Sequence, residues 1–292
     1  MLSDSIIQQS KQLTESTSIQ LFQQIQFQAI STSLSSEPIL TSYVKIGEKK
    51  PPILLIHGFD SSLLEFRRLI PKLAEKYQIW AIDLLGFGFT DRNPNLTYSP
   101  NSIKIHLYNF WQTLINEPVI IVGASMGGAT AIDFTLTHPE IVKQLILLDS
   151  GGLIKQPIIS KFIFPPLDYF ATEFLRNLKV RQSISKNAYF DPKFANEDAL
   201  ICGALHLNCE NWNKALISFT KSGGYGSYAN QLENIKQPTL IIWGENDKIL
   251  GTKYAPQFAK IIPNSKLIWI KECGHVPHLE KPDLTANYIN EQ

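Results

Sequence analysis

Cysteine is scarce in these 292 residues: only Cys202, Cys209 and Cys273 occur. Their number is odd and no CxxC spacing is present. That argues against a disulfide framework or a thiolate metal site, and for small buried hydrophobes in a reducing, cytoplasmic setting. No apolar run reaches the length of a membrane span. An excess of one charge is lacking too, since 27 Lys and Arg against 26 Asp and Glu leave a formal net charge of +1. With no basic stripe and no interleaved aromatics, nucleic acid is not expected as a partner. No arginine precedes Arg67, and no charged segment leads into an apolar stretch near the N-terminus. Neither an arginine-rich transit peptide nor a secretory signal is therefore expected. Internal repeats and low-complexity linkers are also missing, which favours one domain over two joined flexibly.

What is present is an ordinary globular composition, 44% hydrophobic and 18% charged, able to bury a core. Residues 1–36, rich in Gln, Ser and Thr, read as an N-terminal extension. Within SIQLFQQIQFQAI (18–30) two helical stripes compete, Leu21, Ile25 and Ala29 against Ile19, Phe22 and Gln26. A helix or edge strand packed on the main body is expected there, with an amphipathic membrane contact as the alternative. The polar face lacks the Lys and Arg that favour such contact. ILTSYVKI (39–46) predicts an edge strand. Residues 53–57, 78–83, 119–124, 144–149, 239–243 and 266–270 are short apolar runs, the signature of strands buried on both faces. Helical patterns fall at 63–76, 101–116, 126–137, 253–261 and 280–290. Such alternation predicts an α/β fold, a mostly parallel, doubly wound sheet with right-handed crossovers. It breaks between Gly151 and Gln237, where aromatics abound and no buried strand stands out. The core is thus expected at 37–150 and 237–292, with a mainly helical cap insertion at 151–236.

VIIVGASMGGATAIDF (119–134) runs from buried strand through one glycine-flanked serine into helix. A Gly-x-Ser-x-Gly turn between strand and helix is a nucleophile elbow, in which Ser125 is lifted into the open by a strained backbone. Side chains at Gly123, Gly127 or Gly128 would collide with the neighbouring strand and helix. A serine nucleophile needs a base, and the base an orienting acid. Asp247 follows the strand in TLIIWGENDKIL, and His275 follows the last strand in KLIWIKECGHVPHLEKP. Rival acids are Asp149 and Glu245. His278, three residues past His275, reads as packing or capping the next helix. The oxyanion donors expected are the backbone N–H groups of Met126 and of Phe59, in HGFDSS (57–62), with Asp60 as the fallback. His57 reads as a hydrogen-bonded structural residue.

HGF, GASMGG, the Asp247 loop and GHVPHLEKP, in this order, resemble the α/β-hydrolase superfamily over about 50–150 and 237–290. A narrower resemblance rests on HGFDSSLLEFRRL (57–69), AIDLLGFGFTD (81–91), LYNFWQTLI (107–115), SFTKSGGY (218–225) and CGHVPHLEKP (273–282). These are similar to the chlorophyll dephytylase group of plants and its cyanobacterial relatives, which hydrolyse the ester joining phytol to a chlorin ring. The resemblance implies a cofactor-free and metal-free serine hydrolase with Ser125, Asp247 and His275 as triad. It implies a small-molecule or lipid-like ester as substrate and peripheral contact with the thylakoid membrane as an alternative to a purely cytoplasmic location, and no protein partner is evident in the sequence. Phe162, Phe164, Tyr169, Phe170 and Phe174 either line an apolar substrate channel or form the cap's own core. KSGGYGSY (221–228) is either a gate or an ordinary turn. Carbon–carbon hydrolases and the menaquinone-pathway synthase use the same triad, and would call on arginines such as Arg67, Arg68, Arg92, Arg176 or Arg181 to hold an anionic substrate. Haloalkane dehalogenases and epoxide hydrolases of this fold use an aspartate nucleophile, which Ser125 disfavours. A non-catalytic binding member is the remaining alternative.

Overall fold

Alternating apolar runs close into one sheet in the computed structural model, which describes residues 2–154 and 167–291. Eight strands make it up among the described residues: β1 (Gln26–Thr32), β2 (Ser35–Ile46), β3 (Pro52–Ile56), β4 (Gln78–Ile82), β5 (Val119–Ala124), β6 (Val142–Leu148), β7 (Thr239–Gly244) and β8 (Ser265–Ile270). Their order is β1-β2-β4-β3-β5-β6-β7-β8. β2 runs antiparallel to β1 and β4, and every other neighbouring pair is parallel. Parallel neighbours require crossovers, which helices supply. In chain order the helices are α1 (Asp4–Ser10), α2 (Ser16–Gln23), α3 (Ile70–Leu73), α4 (Pro100–Leu114), α5 (Met126–Thr137), α6 (Leu167–Arg176), α7 (Leu178–Ala188), α8 (Glu197–Cys202), α9 (Trp212–Lys221), α10 (Ala255–Ile261), α11 (Pro277–Glu280) and α12 (Pro282–Asn290).

Every residue of β3, β4, β5 and β7 is buried. Strand geometry sends successive side chains to opposite faces. Ile53, Leu55, Ile120, Val122, Ile146 and Leu148 pack one way, against Leu64, Phe66, Leu73 and Ile289. Leu54, Ile56, Ile121, Leu145 and Leu147 pack the other way, against Leu107, Phe110, Ile132 and Phe134. Helices thus cover both faces. The described part of the insertion between β6 and β7 is mainly helical, α6 to α9. Trp212, Leu216 and Phe219 of α9 belong to the same core as Leu54 and Ile56 of the sheet. No helix among the described residues is long and apolar enough to cross a membrane. Cys202 and Cys273 are buried and Cys209 half-buried, all as free thiols.

The 18–30 stretch, expected as a helix or edge strand on the body, supplies both: helix α2 and edge strand β1 follow one another, so the sheet begins at Gln26 rather than at 37. β1 covers β2, and the 39–46 strand is internal, not an edge. The residues ahead of β1 are anchored on the body as well. The Asp198 carboxylate accepts hydrogen bonds from the Thr14 and Glu15 N–H groups, at 2.6 and 2.9 Å, and from Ser18 Oγ at 2.5 Å.

Prolines and edges account for the other differences. The 63–76 helix is a 3-10 turn at Leu63–Phe66 followed by the short α3, with Pro71 in its first turn. The 280–290 helix begins earlier, as α11, and is split before Pro282, because proline lacks the N–H and crowds the preceding turn. β8 is the far edge of the sheet, and its Trp269 is exposed rather than buried.

Candidate active site

Ser125 sits between β5 and α5 at φ 52°, ψ −118°, a region that non-glycine residues occupy only when held there. The chain around it leaves no alternative. A Cβ at Gly123 would lie 2.3 Å from the Gly127 carbonyl oxygen, and one at Gly127 only 2.1 Å from that of Ile56. At Gly128 it would meet Ser150 Oγ at 2.0 Å. The Ser125 N–H donates to Leu148 O at 3.0 Å, while its carbonyl accepts from the Gly128 and Gly151 N–H groups, at 3.0 and 2.8 Å. Met126 is the first residue of α5, so its N–H is one of those a helix start leaves without an intrahelical acceptor.

The loop after β3 lies against this elbow: a Cβ at Gly58 would come within 3.4 Å of Ser125 Cβ. His57 braces the loop from below. Its Nε2 accepts the Leu84 N–H at 3.1 Å, so its proton is on Nδ1, which lies 2.7 Å from Gly58 O. The Gly58 N–H donates to Glu65 Oε2 at 2.9 Å, and Glu65 Oε1 lies 3.1 Å from His278 Nε2. Burial opposes ionisation of Glu65, but the His278 hydrogen bond and charge, with His57 and the Gly58 N–H, hold it down at about 2. His278 therefore reaches across to the loop as well as packing on Phe66, with ring centroids 5.3 Å apart.

Asp60, weighed from sequence only for its N–H, uses its carboxylate to tie this loop to the cap. Oδ1 accepts from Trp212 Nε1 at 2.8 Å and lies 3.1 Å from His206 Nε2, and Oδ2 pairs with Arg181. Burial opposes its charge, and these partners outweigh it, lowering the pKa.

Asp247 and His275, delivered by the loops after β7 and β8, meet: Asp247 Oδ2 lies 3.0 Å from His275 Nδ1. A carboxylate acceptor fixes the imidazole proton on Nδ1 and leaves Nε2 to accept. Asp247 Oδ1 accepts the N–H groups of Ile249 and Leu250 at 2.8 and 3.1 Å, which fixes the carboxylate. The His275 N–H donates to Ala188 O at 2.7 Å. Asp149 stands beside this pair, and one ligand atom from each of the three residues lies within 4.8 Å of the others. Its Oδ1 accepts from the Gly244 N–H at 3.0 Å, and Oδ2 has no partner among the described residues. Burial, then the charge of Asp247, push Asp149 well above the usual carboxylate range. The trio has donors a cation could use, but Asp247 already spends both oxygens on protein partners.

A cleft of about 330 Å³ joins these elements, lined by Gly58, Phe59, Ser125 and His275. Arg67 and Arg181 line it as well. Arg68 instead bonds Glu15, Arg92 holds backbone carbonyls of Gly86 and Gly88, and Arg176 lies over the Trp212 ring. A larger cavity, about 630 Å³, lies elsewhere, between the first residues of the chain and Asp91–Asn95, away from Ser125. Among the described cap aromatics, Tyr189 lines the Ser125 cleft, and Tyr169, Phe170 and Phe174 do not. Tyr169, Phe170 and Phe174 stand exposed on α6, and Phe162 and Phe164 lie outside the described residues. In the 221–228 stretch, the Tyr228 N–H donates to Gly152 O at 2.7 Å, fastening it to the chain after β6.

Strand order and the positions of these loops define the class: the chain belongs to the α/β-hydrolase family, and residues 51–282 match the family described as alpha/beta hydrolase fold. Among its relatives is the alpha/beta hydrolase domain-containing protein VTE7 of Arabidopsis thaliana, 33% identical over 244 residues, 83% of this chain and 74% of that protein. The 2-hydroxy-6-oxo-6-(2'-aminophenyl)hexa-2,4-dienoic acid hydrolase of Metapseudomonas resinovorans is 31% identical over 256 residues, 85% of each chain. A serine hydrolase involved in carbazole degradation, the CarC enzyme, superposes with a TM-score of 0.76 at 26% identity, covering 91% of this chain and 98% of that one.

Proposed function

We propose that this hydrolase cleaves carboxylic esters, with Ser125 as nucleophile, His275 as base and Asp247 as the orienting acid. The observation that carries the reading is that Ser125, on its strained elbow, and His275, paired with Asp247 at 3.0 Å, line one cleft. Ser125 Oγ attacks the ester carbonyl as its proton passes to His275 Nε2, and Asp247 stabilises the imidazolium. The N–H groups of Phe59 and Met126 receive the negative oxygen of the tetrahedral intermediate. The intermediate collapses, His275 gives the proton to the departing alcohol, and water then attacks the acyl-enzyme by the same route.

The substrate we infer is a large apolar ester, such as the phytyl ester of chlorophyll. Leu175, Ile184, Ile249, Val276 and Leu279 supply apolar walls to the cleft, and the sequence resembles the chlorophyll dephytylase group. Burial is worth about 0.8 kcal/mol per methylene, so kcat/KM should rise with chain length across p-nitrophenyl esters. The test is release of phytol and chlorophyllide from chlorophyll a in detergent. If no chlorophyllide forms and short esters are taken as well as long ones, the phytyl-ester reading fails.

One observation favours a second reading, carbon–carbon bond hydrolysis of an anionic dienone. Arg67 lines the cleft, its Nε facing the Asp198 and Glu15 carboxylates at 3.8 and 3.9 Å and its Nη2 without a hydrogen bond among the described residues, and an arginine there suits a carboxylate. The relative from Metapseudomonas resinovorans is named for a dienoic acid. Turnover of a dienoate in preference to every ester would decide for it.

A further inference from the structure

Helix α6 buries polar residues and exposes aromatic ones. Asp168 is 8% exposed and Thr172 4%, and beside them Leu175 packs on the core and lines the cleft. Its outward residues are aromatic, with Phe170 and Phe174 each 62% exposed and Tyr169 51%. Side chains four apart lie one above the other on a helix, so Phe170 and Phe174 form one stripe. Leu178, opening α7, is 48% exposed and carries the apolar surface on toward Ile184, which is 46% exposed and lines the mouth of the Ser125 cleft. The inward polarity is fixed rather than accidental, because Asp168 Oδ2 accepts from Lys221 Nζ of α9 at 2.7 Å.

A helix that keeps its aromatics outside is built for an apolar exterior. The charges around the stripe say which. Lys179 and Lys186 of α7 are exposed and pair with no carboxylate among the described residues, whereas Arg176, exposed at the end of α6, pairs with Glu173 at 3.4 Å. Aromatic rings beside unpaired lysines complement an anionic lipid surface, where rings enter the headgroup boundary and cations meet phosphates.

We propose that the outward face of α6 and α7 docks the protein on an anionic lipid bilayer, with the mouth of the Ser125 cleft turned toward the membrane. A water-insoluble ester then passes from lipid to cleft without crossing water. The proposal goes beyond the hydrolytic reading and is tested without catalysis.

The experiment is flotation of the full chain with phosphatidylcholine vesicles, with and without phosphatidylglycerol. The chain is expected to float with the phosphatidylglycerol vesicles, and the Ser125→Ala chain to float equally. In the Phe170→Ser/Phe174→Ser variant partitioning should fall by roughly tenfold for each ring removed. These residues lie outside the cleft, so far-UV circular dichroism and turnover of a short soluble ester should be unchanged. Lys179→Glu/Lys186→Glu should weaken binding to phosphatidylglycerol vesicles and leave the weak binding to phosphatidylcholine alone. Failure of the chain to float with either vesicle overturns the proposal, as does undiminished flotation of the Phe170→Ser/Phe174→Ser variant. So does a concentration-dependent dimer that this variant abolishes, since the face would then join two copies.

Discussion

A serine at φ 52° with a glycine on either side of its turn is the most legible residue in this chain. The reason is that the requirement is local: strand, turn and helix lie within sixteen consecutive residues. Which carboxylate orients His275 is a different kind of question. Asp149 and Asp247 both follow strands, and sequence leaves them as rivals. Their surroundings separate them. Asp247 accepts two N–H groups and faces His275 Nδ1, whereas Asp149 is pushed up by burial and by Asp247 and favours its neutral form. An amide mimics a neutral acid. Asp149→Asn should therefore leave kcat within roughly tenfold, while Asp247→Asn should lower it by about 10⁴, the loss expected when the imidazole is held in the wrong tautomer. Steady-state kinetics on a soluble ester check both, and the reverse pattern would move the acid to Asp149.

Elements are legible where periodicity is strong and hidden where a contact far along the chain decides. The buried strands were visible because parallel strands covered on both faces are unbroken apolar runs. The role of the Asp60 carboxylate was not, since its partners Arg181, His206 and Trp212 are 121, 146 and 152 positions away. Nor was the direction in which α6 faces: composition shows aromatics in the cap without showing that Asp168 and Thr172 turn inward in their place. The Asp60 junction predicts that Asp60→Ala strands a half-buried guanidinium, a buried imidazole and a buried indole N–H. Stability should fall by about 3–5 kcal/mol, read as a shift of the urea midpoint, with a raised KM because Arg181 lines the cleft. An unchanged midpoint would mean that the cap is held by its apolar contacts alone.

Helix α4 carries a pH prediction of its own. His106 is fully buried, its Nε2 is 2.7 Å from Thr41 Oγ1, and burial pushes its imidazole down to about 4 from 6.5. Between those values the unfolded chain binds a proton that the folded chain refuses. Stability is thus intact above pH 6.5 and lost as the pH falls toward 4, by on the order of 3 kcal/mol from this group. His138 and His206 are shifted the same way, so His106→Gln should flatten the melting temperature profile in that window without levelling it. A profile identical to that of the parent would show that His106 titrates normally.

At the scale of the whole molecule, an eight-stranded sheet gathers the loops after β3, β5, β7 and β8 at one rim, as open α/β sheets do at the carboxyl ends of their strands. The cap closes over them and is fastened through Asp60. We propose that this rim performs nucleophilic catalysis through Ser125. The most direct measurement is mass spectrometry of the intact chain and its peptides after reaction with a fluorophosphonate. One adduct is expected, on the peptide containing Ser125, formed by the parent chain and absent from Ser125→Ala, with ester turnover lost in step. An adduct that persists undiminished in Ser125→Ala, or full ester turnover by that variant, would contradict it.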